Sequence, residues 1–82
     1  MKSLITTAQK LNQTQISKLS QHSREIDALR TLAQRVYDNF EVTVDIADKT
    51  FSQLELNILY HILNVYVVKN RSTYILSEVG AN

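Results

Sequence analysis

The first half of the chain carries apolar residues at alternating intervals of four and three positions. The stripe has twelve positions: Met1, Ile5, Ala8, Asn12, Gln15, Leu19, His22, Ile26, Leu29, Ala33, Val36 and Phe40. Nine of them are apolar, and the three exceptions are Asn12, Gln15 and His22. Apolar residues at this spacing share one face of an α-helix and are typical of a coiled-coil seam. Proline is absent and the only glycine is Gly80. The pattern predicts one long helix from Leu4 to Asn39, with Thr6 and Gln9 capping its start.

The two halves of this stripe differ in strength. From Ile26 to Phe40 the seam is apolar throughout, whereas polar residues interrupt it nearer the N-terminus. Half of residues 1–24 are Ser, Thr, Asn or Gln, whose side chains compete with helical backbone hydrogen bonds. We therefore expect a single domain over residues 1–82, with a weakly ordered basic arm at 1–23 and a core at 24–79.

The arm is the predicted partner-binding element. The predicted long helix is longer than the second helix, which can cover little beyond Ile26–Phe40, so residues 4–22 are expected to lack a neighbour within the chain. Polar residues in a helical seam can select partner and register. The predicted partner-binding residues are Leu11, Ile16 and Leu19 as apolar anchors and Asn12, Gln15 and His22 as polar selectors.

Residues 41–50 change the period of the pattern. Val42, Val44 and Ile46 alternate with Glu41, Thr43 and Asp45. Such alternation predicts a short strand or extended link. A rival interpretation continues the helix and aligns a stripe of acids, namely Asp38, Glu41, Asp45 and Asp48. The β-branched residues favour the extended link.

A second helix is predicted to start at Gln53. Ser52 and Glu55 match the capping box, and Phe51 and Leu56 occupy the positions of a hydrophobic staple. The apolar run that follows extends this helix to about Val68. A helix that is apolar nearly all round needs to be buried nearly all round. Because a chain of this length has few elements to cover it, we expect a homodimer.

These elements together predict an all-α or nearly all-α fold. The long helix folds back through the extended link onto the capped second helix, as an αα-hairpin with a short C-terminal element. An alternative interpretation pairs Val65–Val68 with Thr73–Leu76 as a β-hairpin, which would shorten the second helix.

Charge is unevenly distributed along the chain. Residues 1–24 carry +4, residues 25–55 carry −4 and the remainder carries +1. A basic arm ahead of an acidic middle favours head-to-tail pairing in a dimer or steering of a charged partner. The start turns polar after Ile5, and the apolar stretch Leu54–Val68 is shorter than the ~20 residues of a membrane helix. We expect a soluble cytoplasmic protein that does not bind membranes.

Candidate chemistry is sparse. Cysteine is absent, so disulfides are excluded and only His22 and His61 remain as nitrogen ligands for zinc. There is no glycine-rich phosphate loop, nucleophile elbow or zinc-protease motif. The acidic residues from Asp38 to Asp48 lack the spacing and central glycine of a calcium loop. The sequence therefore predicts a non-enzyme without cofactor or metal.

Two stretches resemble known families. The opening Met1–Ile5, together with Ile26–Leu29 and Asn39, resembles the enterobacterial anti-adaptor that shields the stationary-phase sigma factor from proteolysis. The run from Phe51 to Tyr60 is similar to small nucleoid-associated modulators. That family carries Asp-His-Arg after its tyrosine, where this chain has Asn64-Val65-Tyr66. Neither resemblance covers enough specific positions to assign a family.

The function predicted from the sequence is that of a small regulatory or adaptor protein that binds another protein through a helix. One alternative is a chaperone or assembly factor for a secretion or phage system. A second is a DNA-binding or nucleoid-associated regulator, since Lys2, Lys10, Lys18 and Arg24 are available for phosphate contacts. These cations are few and no recognition helix follows the Ser52 helix. We therefore expect a protein partner rather than nucleic acid.

Overall fold

The computed structural model describes residues 8–80, which form three helices and three strands. The helices are α1 (Gln13–Leu19), α2 (Ser23–Asn39) and α3 (Gln53–His61), and the strands are β1 (Glu41–Asp45), β2 (Val65–Asn70) and β3 (Thr73–Glu78). The strands form an antiparallel sheet in the order β1-β3-β2. The fold is therefore α+β, and the prediction of an all-α, coiled-coil-like αα-hairpin is wrong.

The predicted long helix is broken between α1 and α2. Ser20, Gln21 and His22 donate their backbone N–H groups to carbonyls three residues earlier, at 3.3, 3.1 and 3.0 Å. This spacing tightens the chain into a turn that ends α1 without glycine or proline. The break buries Leu19, which is 7% exposed.

The cap of the first helix also lies elsewhere than predicted. Asn12 and Gln15 form a capping box at the start of α1, with N···O distances of 2.9 and 3.0 Å. The predicted cap residue Thr6 lies outside the described residues. Because α1 begins only at Gln13, Gln9 belongs to an irregular segment that precedes it.

Helix α2 carries the predicted apolar stripe. Ile26, Leu29, Ala33 and Val36 are all buried, as their four-three spacing on one helix face requires. Helices α2 and α3 pack against each other and against the sheet. This part of the prediction is confirmed.

The change of period after Asn39 marks a strand, as predicted. In β1, Val42 lies opposite Leu76 and Val44 opposite Tyr74 of β3, so the alternate valines face the core. The rival interpretation of an acidic helical stripe is wrong, because Glu41 and Asp45 belong to a strand.

Helix α3 starts at Gln53, which confirms the predicted capping box. The Glu55 N–H donates to Ser52 Oγ at 3.1 Å, and the Ser52 N–H donates to Glu55 Oε1 at 2.9 Å. The helix ends at His61 instead of near Val68. Asn64 adopts a φ of 58°, which only glycine, asparagine and aspartate tolerate readily, and this residue turns the chain into β2.

The hairpin that was the alternative interpretation is the observed structure. Strands β2 and β3 pair through a two-residue turn, Arg71 and Ser72, and Arg71 takes the positive φ of 57° that such turns need at their first position. The apolar run therefore supplies both α3 and a strand. Within α3, Leu56, Ile58 and Leu59 are buried by the chain itself, so the argument for a dimer from an uncovered helix does not hold.

No helix within residues 8–80 has the length and apolar character needed to cross a membrane.

Candidate functional site

The segment that precedes α1 lies against α3, where Gln9 makes three hydrogen bonds to two residues of the helix. The Gln9 N–H donates to Asn57 Oδ1 at 2.9 Å, and Asn57 Nδ2 donates to Gln9 Oε1 at 3.2 Å. The Gln9 carbonyl lies 2.8 Å from His61 Nε2, which must be the donor because a carbonyl can only accept. The prediction that the arm lacks an intrachain neighbour is wrong for this segment.

The six predicted partner-binding residues differ in their surroundings within the fold. Leu19 is buried, and Leu11 packs partly buried against the core, whereas Ile16 is half-buried. Asn12 and Gln15 cap α1. His22 is exposed, with Nδ1 3.9 Å from Glu25 Oε1. These residues do not form one separate surface, and their binding of another chain stays a prediction.

The large apolar side chains that are exposed within residues 8–80 belong to residues at one end of the sheet. Tyr37, Phe40 and Val79 are 37%, 66% and 38% exposed. Phe40 connects α2 to β1, and the next residue, Glu41, pairs with Ser77, two residues before Val79. We call Tyr37, Phe40 and Val79 the Phe40 surface.

The backbone of Phe40 is strained. Its φ of 75° and ψ of −45° lie in a region that a bulky L-residue rarely enters. Such a conformation costs about 1–3 kcal/mol, and it persists only where the surrounding structure enforces it. Here α2 and β1 fix the chain on both sides. The result is an aromatic ring that the fold presents to solvent at a cost in stability.

The neighbours of Phe40 are held in place by the connection between α3 and β2. The Tyr37 hydroxyl donates to the Leu63 carbonyl, and the Val79 N–H donates to the Asn64 carbonyl at 2.8 Å. Burial raises the pKa of Tyr37, the nearby Glu78 carboxylate raises it further, and Arg30 partly offsets both. Tyr37 therefore remains a protonated donor, and its hydrogen bond fixes it to the connection between α3 and β2.

The rim of the Phe40 surface is mainly acidic. Asp38 and Glu41 flank Phe40 in the chain and are exposed, and Glu78 lies close enough to act on Tyr37. Arg30 is the cation that acts on the same tyrosine, and it also contacts Asp27, with a 3.4 Å N···O distance. An apolar centre with an acidic rim suits an apolar group surrounded by basic residues.

A second feature is an open cavity between the segment that precedes α1 and the end of α3. We call this cavity the arm groove. It measures about 410 Å³ and is lined by Ala8, Gln9, Lys10, Leu11, Tyr60 and His61. The Tyr60 ring meets His61 edge to face with centroids 4.9 Å apart. The groove is therefore apolar and aromatic in its walls, with one cation at its margin.

No group of three or more His, Asp or Glu side chains within residues 8–80 is arranged to hold a metal ion. Reasoning from sequence identified neither Phe40 nor Asn57 as a site residue. The one signal for Phe40 is its place directly before the change of period at Glu41.

Comparison with known protein families, curated proteins and solved structures gives no significant match for this chain.

Proposed function

We propose that this chain is a small non-enzymatic regulatory or adaptor protein that acts by binding another protein chain through the Phe40 surface. The observation that carries the proposal is a phenylalanine that is 66% exposed and held at a positive φ. Folding alone gives no reason for a phenylalanine there, because glycine adopts this conformation without steric cost and leaves no apolar ring in water.

The surroundings of Phe40 resemble those of an interface anchor. Binding energy in protein interfaces is concentrated in a few large side chains near the centre, surrounded by contacts that exclude water. Tyr37 and Val79 supply apolar neighbours, and acids occupy the rim. The hydrogen bonds to Leu63 and Asn64 hold this arrangement in advance, which reduces the entropy lost on binding.

The same surface is unsuited to nucleic acid. Asp38, Glu41 and Glu78 would repel phosphates, whose neutralisation supplies most of the affinity in such complexes. A protein partner is therefore the proposal that the charges favour.

Photo-crosslinking in the native host tests this function. A photoreactive phenylalanine analogue replaces Phe40, and the matched control carries the same analogue at Ser72, in the hairpin turn at the opposite end of the sheet. We expect a crosslinked protein at position 40 and not at position 72. Mass spectrometry then identifies that protein, so that it can be purified.

Binding of the purified partner gives the decisive measurement. Phe40→Gly, which relieves the backbone strain, should weaken the affinity at least about tenfold, since loss of an interface anchor costs more than 1.4 kcal/mol. Ser72→Gly should leave the affinity unchanged. Equal crosslinking at both positions, or full affinity in Phe40→Gly, would refute the proposed function.

A further inference from the structure

We infer that the arm groove receives Phe40 from a second copy of this chain, so that two copies form a twofold dimer with Phe40 of each in the groove of the other. This inference rests on the proposed function, which assigns Phe40 to binding, and it names the partner. Self-association was first expected because α3 was predicted to be too apolar to be covered within one chain, whereas it is now inferred from Phe40 and the groove.

The shapes of the two features are complementary. The groove of about 410 Å³ is open to solvent and has room for one phenyl ring and its flanking backbone. Leu11 and Tyr60 offer the ring apolar and aromatic contacts. A buried phenylalanine removes roughly 150–250 Å² of its surface from water, and tilted aromatic pairs add to this gain. Phe40 is the described apolar side chain with the most surface left to bury.

The charges of the two features are also complementary. Asp38 and Glu41 flank Phe40, whereas Lys10 lies at the margin of the groove, and all three are exposed. The same asymmetry runs through the chain, with +4 over residues 1–24 and −4 over residues 25–55. Surfaces of opposite sign attract each other and suppress wrong orientations. A second copy therefore supplies a phenyl ring for the groove, acids opposite Lys10 and a lysine opposite the acids beside Phe40.

The positions of the two features permit closure. His61 of the groove ends α3, and Leu63, two residues later, accepts the hydrogen bond from Tyr37 of the Phe40 surface. Both features thus adjoin the connection between α3 and β2. A twofold axis near this connection makes the same contact twice, which yields a closed dimer rather than an open chain.

The first test is the mass in solution. Light scattering and sedimentation of the full chain from low to high micromolar concentration should show a dimer that dissociates on dilution. Phe40→Asp should be monomeric at every concentration, and so should Phe40→Gly, which is free of added charge. Ser72→Asp makes a matched charge change at the far end of the sheet and should stay dimeric.

The second test uses a reciprocal charge exchange between exposed residues. Glu41→Lys places a lysine opposite Lys10 and Lys10→Glu places a glutamate opposite Glu41, so each variant alone should dimerise about tenfold more weakly. In an equimolar mixture the heterodimer restores opposite charges at both contacts, and dimerisation should recover. The variant carrying both substitutions should dimerise like the original chain.

A monomeric mass of the unaltered chain at every concentration would overturn the inference. A dimer that survives Phe40→Asp, or a charge mixture that fails to recover, would overturn it too. These results would not by themselves refute the proposed function. A monomer whose position 40 crosslinks to a different protein would still bind through the Phe40 surface.

Discussion

The two phenylalanines of this chain adjoin helices in opposite ways. Phe51 directly precedes the cap of α3 and is 4% exposed, whereas Phe40 directly follows α2 and is 66% exposed. The residue type and its hydrophobicity are the same in both cases, and each residue lies next to the end of a helix. The difference shows that burial of an aromatic ring depends on which elements the rest of the chain brings to it.

Phe51 is enclosed by residues distant in sequence. Its ring lies 4.9 Å from that of Tyr74 at a tilt of 58°, and Lys49 Nζ lies 5.5 Å from its centroid. Its backbone N–H donates to the Tyr74 hydroxyl at 3.4 Å. Each of these contacts supports the start of α3 or its attachment to β3. Phe51 is therefore a residue of the core, and its contribution is to stability.

Phe40 is held outward by its backbone. Its positive φ directs the chain from α2 into β1, and most of the ring is left in contact with water. Strained residues of this kind concentrate at binding and catalytic sites, where geometry matters more than local stability. The comparison separates a side chain that the fold needs from one that the fold tolerates.

The largest expected effect tests this separation directly. Phe51→Ala should lower the free energy of unfolding by about 3–4 kcal/mol, because it removes buried apolar surface and leaves a cavity. Phe40→Ala should change it by less than about 1 kcal/mol, because most of that ring is already hydrated. Urea denaturation at a constant slope measures both. Losses of similar size would show that Phe40 belongs to the core.

A smaller effect of opposite sign isolates the strain at Phe40. Phe40→Gly should raise the free energy of unfolding by about 1 kcal/mol relative to Phe40→Ala, since only glycine adopts this φ freely. Arg71, in the hairpin turn, is another residue at positive φ, and Arg71→Gly should give a similar gain relative to Arg71→Ala without affecting binding. Thermal or urea denaturation provides the measurement. A glycine variant less stable than its alanine counterpart would contradict the strain argument.

Local signals in the sequence predicted the elements that depend on neighbouring residues. The capping box of Ser52 and Glu55 closes within four residues, and the apolar stripe of Ile26–Val36 is a property of one helix face. The strand at Glu41–Asp45 followed from its alternation. These features could be read because their causes are contained in the segments themselves.

The boundaries of the remaining elements could not be predicted, because no glycine marks the turns between them. The chain places Phe40, Asn64 and Arg71 at positive φ, where glycine would ordinarily mark a turn. Without that mark, the apolar run through Val68 could not be divided by periodicity into a helix and a strand. The Phe40 surface was hidden for the same reason, since Phe40 fits the spacing of the buried stripe and only the turn removes it from the core.

The smallest expected effect concerns Glu55, the acid in the capping box that directly follows Phe51. Burial raises the pKa of Glu55, but the Ser52 N–H and the Lys49 ammonium, whose Nζ lies 3.1 Å from Oε2, outweigh burial and hold it below its usual value. A carboxyl whose pKa is lower in the folded state stabilises fully above its unfolded pKa, and this stabilisation is lost as pH falls through the folded pKa. The loss of this stabilisation should therefore begin at about pH 5 and grow as the solution becomes more acidic.

Glu55→Gln tests this contribution, because glutamine keeps a capping-box acceptor but cannot titrate. The free energy of unfolding, measured by urea denaturation from neutral pH down through the acidic range, should fall less steeply in Glu55→Gln than in the original chain. Lys49→Met removes one of the two interactions that lower the pKa and should give an intermediate slope. Identical slopes in all three proteins would show that the charge of Glu55 does not stabilise the start of α3. In that case the start of α3 would be held by its capping-box hydrogen bonds and by the contacts of Phe51 with Tyr74, without a contribution from the Glu55 charge.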